Sequence, residues 1–172
     1  MSTVPYASPS NSERRFTVSR DLTKSPNADR PTVLIADDDT FSRAMAVSKV
    51  AALDVNLLEA ENGEKAMSIL QDTKVDLAIV DLEMPIVDGF MLLGCIRGHP
   101  RLKHIPVVVL TGREDREAMA QALSAGATSF LHKPLNWTAF GEHIRHLIEL
   151  SSGASLKKVQ TPSLARPKVR LG

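Results

Sequence analysis

The 172-residue chain contains a single cysteine, Cys95. An internal disulfide is therefore excluded, and such sparse cysteine usage suits a reducing compartment. Apolar residues surround Cys95 in the chain, which predicts a plain buried thiol rather than a reactive one. No apolar stretch approaches the ~18–20 residues needed to span a bilayer, so no transmembrane segment is expected. The opening residues, MSTVPYASPSNSERR, lack the apolar core of a secretory signal, and a cytoplasmic location is expected. No cysteine and histidine residues stand at zinc-binding spacing.

Acidic residues are missing from 151–172, whereas Lys157, Lys158, Arg166, Lys168 and Arg170 give that segment a charge of +5. Residues 1–30 carry +2 and residues 31–150 carry −6, an asymmetry concealed by the net charge of +1. Residues 1–30 contain Pro5, Pro9 and Pro26 and few large apolar side chains. Residues 151–172 are broken by Pro162 and Pro167. Neither end buries enough surface to offset backbone entropy, so a disordered N-terminal tail and a basic, flexible C-terminal tail are predicted. One ordered domain is expected between them, over residues 31–150.

Inside that domain short apolar runs alternate with amphipathic stretches. The runs are Val33–Ala36, Asn56–Leu58, Leu77–Val80, Val107–Leu110 and Ser129–Leu131. Continuous runs of this length predict strands buried on both faces. Helical spacing of apolar residues predicts helices over Thr40–Leu53, Gly63–Gln71, Phe90–Arg97, Glu114–Ser124 and Asn136–Leu150. The alternation gives an α/β fold, a doubly wound five-stranded parallel sheet with helices on both faces.

Ligand sites in open parallel sheets lie beyond the carboxyl ends of the strands. Here those ends deliver Asp37-Asp38-Asp39, Asp81, Thr111-Gly112 and His132-Lys133-Pro134. Carboxylates converging from two strand ends repel unless a cation neutralises them. Hard oxygen ligands suit Mg²⁺. A lysine and a threonine hydroxyl beside them can contact phosphoryl oxygens. An aspartate can itself form an aspartyl-phosphate. Phosphoryl transfer onto a carboxylate is the chemistry these residue types serve.

The segments VLIADDD (33–39), IVDLEMPIVDG (79–89), IPVVVLTG (105–112) and AGATSFLHKPL (125–135) closely resemble the receiver domain of bacterial response regulators, the CheY-like family. The resemblance covers essentially all of 31–150. It implies the (βα)5 flavodoxin-like strand order 2-1-3-4-5. It implies Asp81 as phosphoacceptor, with Asp37, Asp38, Asp81 and the backbone carbonyl of Glu83 holding Mg²⁺. Thr111 and Lys133 are then the residues contacting the phosphoryl group, and Pro134 is expected to follow a cis peptide. Thr111 and Phe130 become the switch pair. A swing of Phe130 would alter the face made by the fourth helix, fifth strand and fifth helix, where a downstream protein target is expected to dock.

Other residues have plainer expected roles. Asp39 reads as the cap of the first helix rather than a third metal ligand. Gly89 and Gly126 read as backbone-geometry positions. Trp137 reads as packing. Arg97, His99, Arg101, Lys103 and His104 read as a solvated basic loop, and His143 and His146 as a solvated helix face. Glu83 and Arg113 are candidates for a pair across the site mouth.

After Leu150 too little chain follows for a helix-turn-helix output domain, so no DNA-binding domain is expected on this chain. The expected function is that of a single-domain response regulator in a two-component system or phosphorelay. It would accept a phosphoryl group on Asp81 from a histidine kinase or histidine phosphotransfer protein and signal by phosphorylation-dependent protein–protein interaction. It is expected to be a phosphoacceptor signalling protein, not an enzyme in the ordinary sense. The rival expectation is a phosphorylation-independent adaptor whose basic tail binds an anionic ligand, such as nucleic acid, membrane or a cyclic dinucleotide.

Overall fold

The computed structural model describes residues 28–112 and 116–151. The expectations for the basic residues from Lys157 to Arg170, for Arg113 and for most of both tails fall outside these residues. Among the described residues there are five strands: β1 (Thr32–Ala36), β2 (Asn56–Ala60), β3 (Leu77–Asp81), β4 (Val107–Thr111) and β5 (Ser129–His132). They alternate with α1 (Thr40–Val50), α2 (Gly63–Asp72), α3 (Gly89–Gly98), α4 (Arg116–Ser124) and α5 (Trp137–Ser151). Every strand pair is parallel, and the sheet order is β2-β1-β3-β4-β5. The fold is therefore the doubly wound one expected.

The alternation of side chains along each strand divides the core into two layers. Leu34, Ala36, Ala78, Val80, Val107 and Val109 face one side, against Ala66, Ile69 and Leu70 of α2 and Leu92, Leu93 and Ile96 of α3. Val33, Ile35, Leu77, Ile79, Val108 and Leu110 face the other, against Ala46 and Val50 of α1 and Phe140, Ile144, Leu147 and Ile148 of α5. Trp137 packs on this second layer and meets Phe140 edge to face, with ring centroids 5.5 Å apart, as its packing role required.

Side-chain caps set where helices start. Asp39 accepts the Ser42 N–H at 2.6 Å, Asn62 the Lys65 N–H at 2.8 Å and Asp88 the Met91 N–H at 2.8 Å. Such caps are each worth about 1 kcal/mol. Asp39 is thus the cap of α1. The first predicted helix ends earlier than its apolar spacing suggested. A 3-10 turn follows over Ala51–Leu53, and Asp54 at φ 56° reverses the chain into β2.

Three side-chain expectations are corrected. Cys95 is exposed. Its apolar sequence neighbours lie around the helix rather than over it: α3 buries Gly89, Leu92, Leu93 and Ile96, which leaves 95 on the outer side. Arg97 is not part of a solvated loop. It is half-buried, and it donates from Nε to the Gly126 carbonyl at 2.7 Å and from Nη1 to the Ile105 and Lys103 carbonyls at 3.0 and 3.3 Å. His143 is also half-buried, with Nε2 2.8 Å from Ser129 Oγ.

Candidate functional site

Register brings the site together. Ala36 pairs with Val80, so the residues that follow, Asp37 and Asp81, emerge side by side. Neighbouring strands lie about 4.8 Å apart. On the other side of β3, Asp81 pairs with Leu110, placing Thr111 one step further along β4. Thr111 in turn pairs with His132, and the Lys133 N–H donates to the Thr111 carbonyl at 2.7 Å. The carboxyl ends of β1, β3, β4 and β5 thereby gather the acids, the threonine and the lysine at one edge.

Asp37 and Thr111 are fully buried, and Asp81 is 3% exposed. Asp38 is exposed. Carboxylate oxygens of Asp37, Asp38 and Asp81 lie within 4.8 Å of one another. Lys133 Nζ bonds both buried acids, Asp81 Oδ2 at 2.6 Å and Asp37 Oδ2 at 3.0 Å. Asp81 Oδ1 accepts the Glu83 N–H at 3.1 Å. Burial raises the Asp81 carboxyl above the usual carboxylate range, and the Lys133 and Glu83 hydrogen bonds only partly oppose that rise. Burial by itself would lower the Lys133 ammonium, but its bonds to Asp81 and Asp37 outweigh the burial and hold it raised. Two buried carboxylates sharing one ammonium leave an excess of negative charge. The donor set is made of hard oxygens. Both features fit Mg²⁺.

The segment after Asp81 is tightly built. A Cβ on Gly89 would lie 2.3 Å from the Asp81 carbonyl oxygen, so α3 can start directly against β3 only with glycine there. Ile86 has φ 70° and is 78% exposed, and the Val87 N–H donates across it to the Pro85 carbonyl at 2.9 Å. That is the hydrogen bond and φ sign of a strained γ-turn, held by a β-branched residue that seldom adopts it. Glu83 Oε2 accepts the Gly112 N–H at 3.1 Å, linking this segment to the end of β4.

Phe130 is half-buried on β5, opposite Val109, and packs on the first core layer. The Lys133–Pro134 peptide is cis. His132 is exposed, beside the site rather than in it. Sequence reasoning missed two residues of α1. Ser42 Oγ donates to Asp37 Oδ2 at 2.6 Å, and Arg43 Nη1 donates to the Asp37 carbonyl at 2.6 Å. The available signal was position: the first turn of a helix that doubles back from a strand end faces that end. Among the described residues no helix is long and apolar enough to cross a membrane.

Comparison with known proteins agrees with this geometry. The Vibrio cholerae chemotaxis response regulator CheY4 superposes with a TM-score of 0.64 at 25% identity, covering 69% of this chain and 98% of that one. The chemotaxis protein CheY of Pseudomonas aeruginosa is 32% identical over 124 residues, 70% of this chain and 98% of the relative. A gliding motility regulatory protein of Myxococcus xanthus is 35% identical over 116 residues, but this chain spans only 15% of its length. The family description that matches residues 33–145 is the response regulator receiver domain. With a fold, a strand-end acid cluster and a lysine all in register with that match, the chain belongs to the response regulator receiver domain family.

Proposed function

We propose that Asp81 is the phosphoacceptor, and that a histidine kinase or a histidine phosphotransfer protein is the donor. The observation that carries this reading is the contact of Lys133 Nζ with Asp81 Oδ2 at 2.6 Å inside the Asp37–Asp38–Asp81 cluster. An oxygen of the ionised Asp81 attacks the phosphorus of the donor phosphohistidine. The phosphorus–nitrogen bond breaks, and the imidazole nitrogen leaves with the electron pair. Lys133 holds the acceptor oxygen and meets charge on the equatorial phosphoryl oxygens. Asp37, Asp38, Asp81 and the Glu83 carbonyl would hold Mg²⁺, which would supply further charge neutralisation there.

In this reading Thr111 and Phe130 are the switch. Thr111 ends β4, and Phe130 lies on β5, the strand paired with it, so the two stand on neighbouring strands. Thr111 turns toward the new charge, Phe130 repacks, and a downstream protein recognises the altered face. Beryllofluoride, a phosphoryl mimic, tests the switch. Added with Mg²⁺, it should shift the amide signals of Thr111 and Phe130 in NMR spectra of the full chain. Unchanged signals at both positions would remove the switch.

A further inference from the structure

Asp37 is held by more groups than its burial alone demands. Its Oδ1 accepts the Asp39 N–H at 2.9 Å. Its Oδ2 accepts from two donors, Lys133 Nζ at 3.0 Å and Ser42 Oγ at 2.6 Å. Ser42 lies in the first turn of α1, and its hydroxyl reaches back over the strand-to-helix corner. The cap of α1 does not need that hydroxyl, because it is the Ser42 N–H that Asp39 accepts. The next residue, Arg43, secures the Asp37 carbonyl at 2.6 Å, with its Nε 3.6 Å from Glu59 on β2. The backbone and the carboxylate of Asp37 are thus gripped separately by adjacent residues of one helical turn.

We infer that Ser42 is a positioning residue for divalent metal at this site, acting through Asp37. The inference rests on the reading of Asp37, Asp38 and Asp81 as the Mg²⁺ site. Its physical basis is a difference in charge between the two donors on Oδ2. A divalent cation among these carboxylates repels the Lys133 ammonium, and an incoming phosphoryl group attracts it away from Asp37. The Ser42 hydroxyl is neutral, so neither charge displaces it. It keeps a buried carboxylate oxygen bonded when Lys133 gives it up, and leaving that oxygen bare is costly. It also fixes the carboxylate plane before metal arrives. Groups that hydrogen-bond a ligating side chain in this way typically change metal affinity by about 10–100-fold.

The test is titration of the full chain with Mg²⁺ alone, followed by calorimetry and by the Asp38 and Asp39 amide signals. Wild type, Ser42→Ala and Ser42→Thr are compared, and metal-free melting temperatures are recorded for each. Alanine is a better helix former than serine, and the capping N–H survives, so α1 should persist in Ser42→Ala. The expected result is Mg²⁺ binding weakened by about tenfold or more in Ser42→Ala and restored to about wild type in Ser42→Thr. A melting temperature that moves while Mg²⁺ affinity stays within about threefold of wild type would mean a purely structural serine and overturn the inference. Failure of threonine to restore binding would overturn it as well. Absence of Mg²⁺ binding by wild type would instead overturn the metal site itself, and this inference with it.

Discussion

Asp37 and Asp81 share the Lys133 ammonium, and that imbalance governs the residue-scale behaviour. Burial holds Asp81 above the usual carboxylate range. The folded chain therefore binds this proton more tightly than the unfolded chain does. Asp81's contribution to stability is fully present below the ordinary carboxylate value and is lost as pH rises through the raised folded value. At neutral pH the ionised form opposes folding. Asp81→Asn should then melt several degrees above wild type at neutral pH without Mg²⁺, and the gap should narrow as pH falls. A lower melting temperature at neutral pH would contradict this electrostatic description. Asp37, Asp81, Thr111 and Lys133 were legible in the sequence because a parallel sheet aligns its strand ends, so acids ending separate apolar runs must converge. Ser42 was not legible, since its role depends on how α1 folds back over Asp37. Cys95 was misread because apolar neighbours in the chain are not neighbours in space on a helix.

At the scale of elements, Arg97 is the clearest device. From the last turn of α3 it binds the carbonyls of Lys103 and Ile105, ahead of β4, and of Gly126, between α4 and β5. Gly126 has φ 96°, and a Cβ there would come within 3.0 Å of Arg97 Nε. The turn after α4 is therefore shaped to receive the guanidinium, tying down the end of α4 at the opposite end of the strands from the Asp37–Asp81 cluster. Arg97→Met keeps the aliphatic stem but strands the carbonyls, at an expected cost of about 2 kcal/mol. Hydrogen exchange should quicken at Ala127 and Thr128, which bond Ala122 and Val107, more than at Leu82, which bonds Leu110 beside Asp81. Equal acceleration at both places would remove the local latch. Four strands were legible to within a residue, because buried parallel strands are short apolar runs bounded by polar residues, whereas β2 runs two residues past the predicted Asn56–Leu58, through Glu59 to Ala60. Helix ends were less so. The split of the first helix at Val50 follows from backbone reversal at Asp54, which apolar spacing does not report.

At the scale of the whole molecule, charge is arranged around the sheet. Residues 31–150 carry the −6 excess of acid, and three of those acids meet at the carboxyl edge. Two helices cover one face and three the other, and the acids meet at the carboxyl edge between them, where Asp38 is exposed. The architecture was legible because alternating elements admit few arrangements, and the strand order followed from the family resemblance. The basic segment from Lys157 onward stands outside the described residues, and the phosphoacceptor account does not use it. The central claim is that Asp81 takes the phosphoryl group with help from Mg²⁺. Its most direct measurement is labelling of the full chain by a small-molecule phosphodonor, read by intact mass with and without Mg²⁺, for wild type and Asp81→Asn. The account predicts one acid-labile phosphoryl group on wild type, formed only with Mg²⁺, and none on Asp81→Asn. Equal labelling of the two proteins would contradict it.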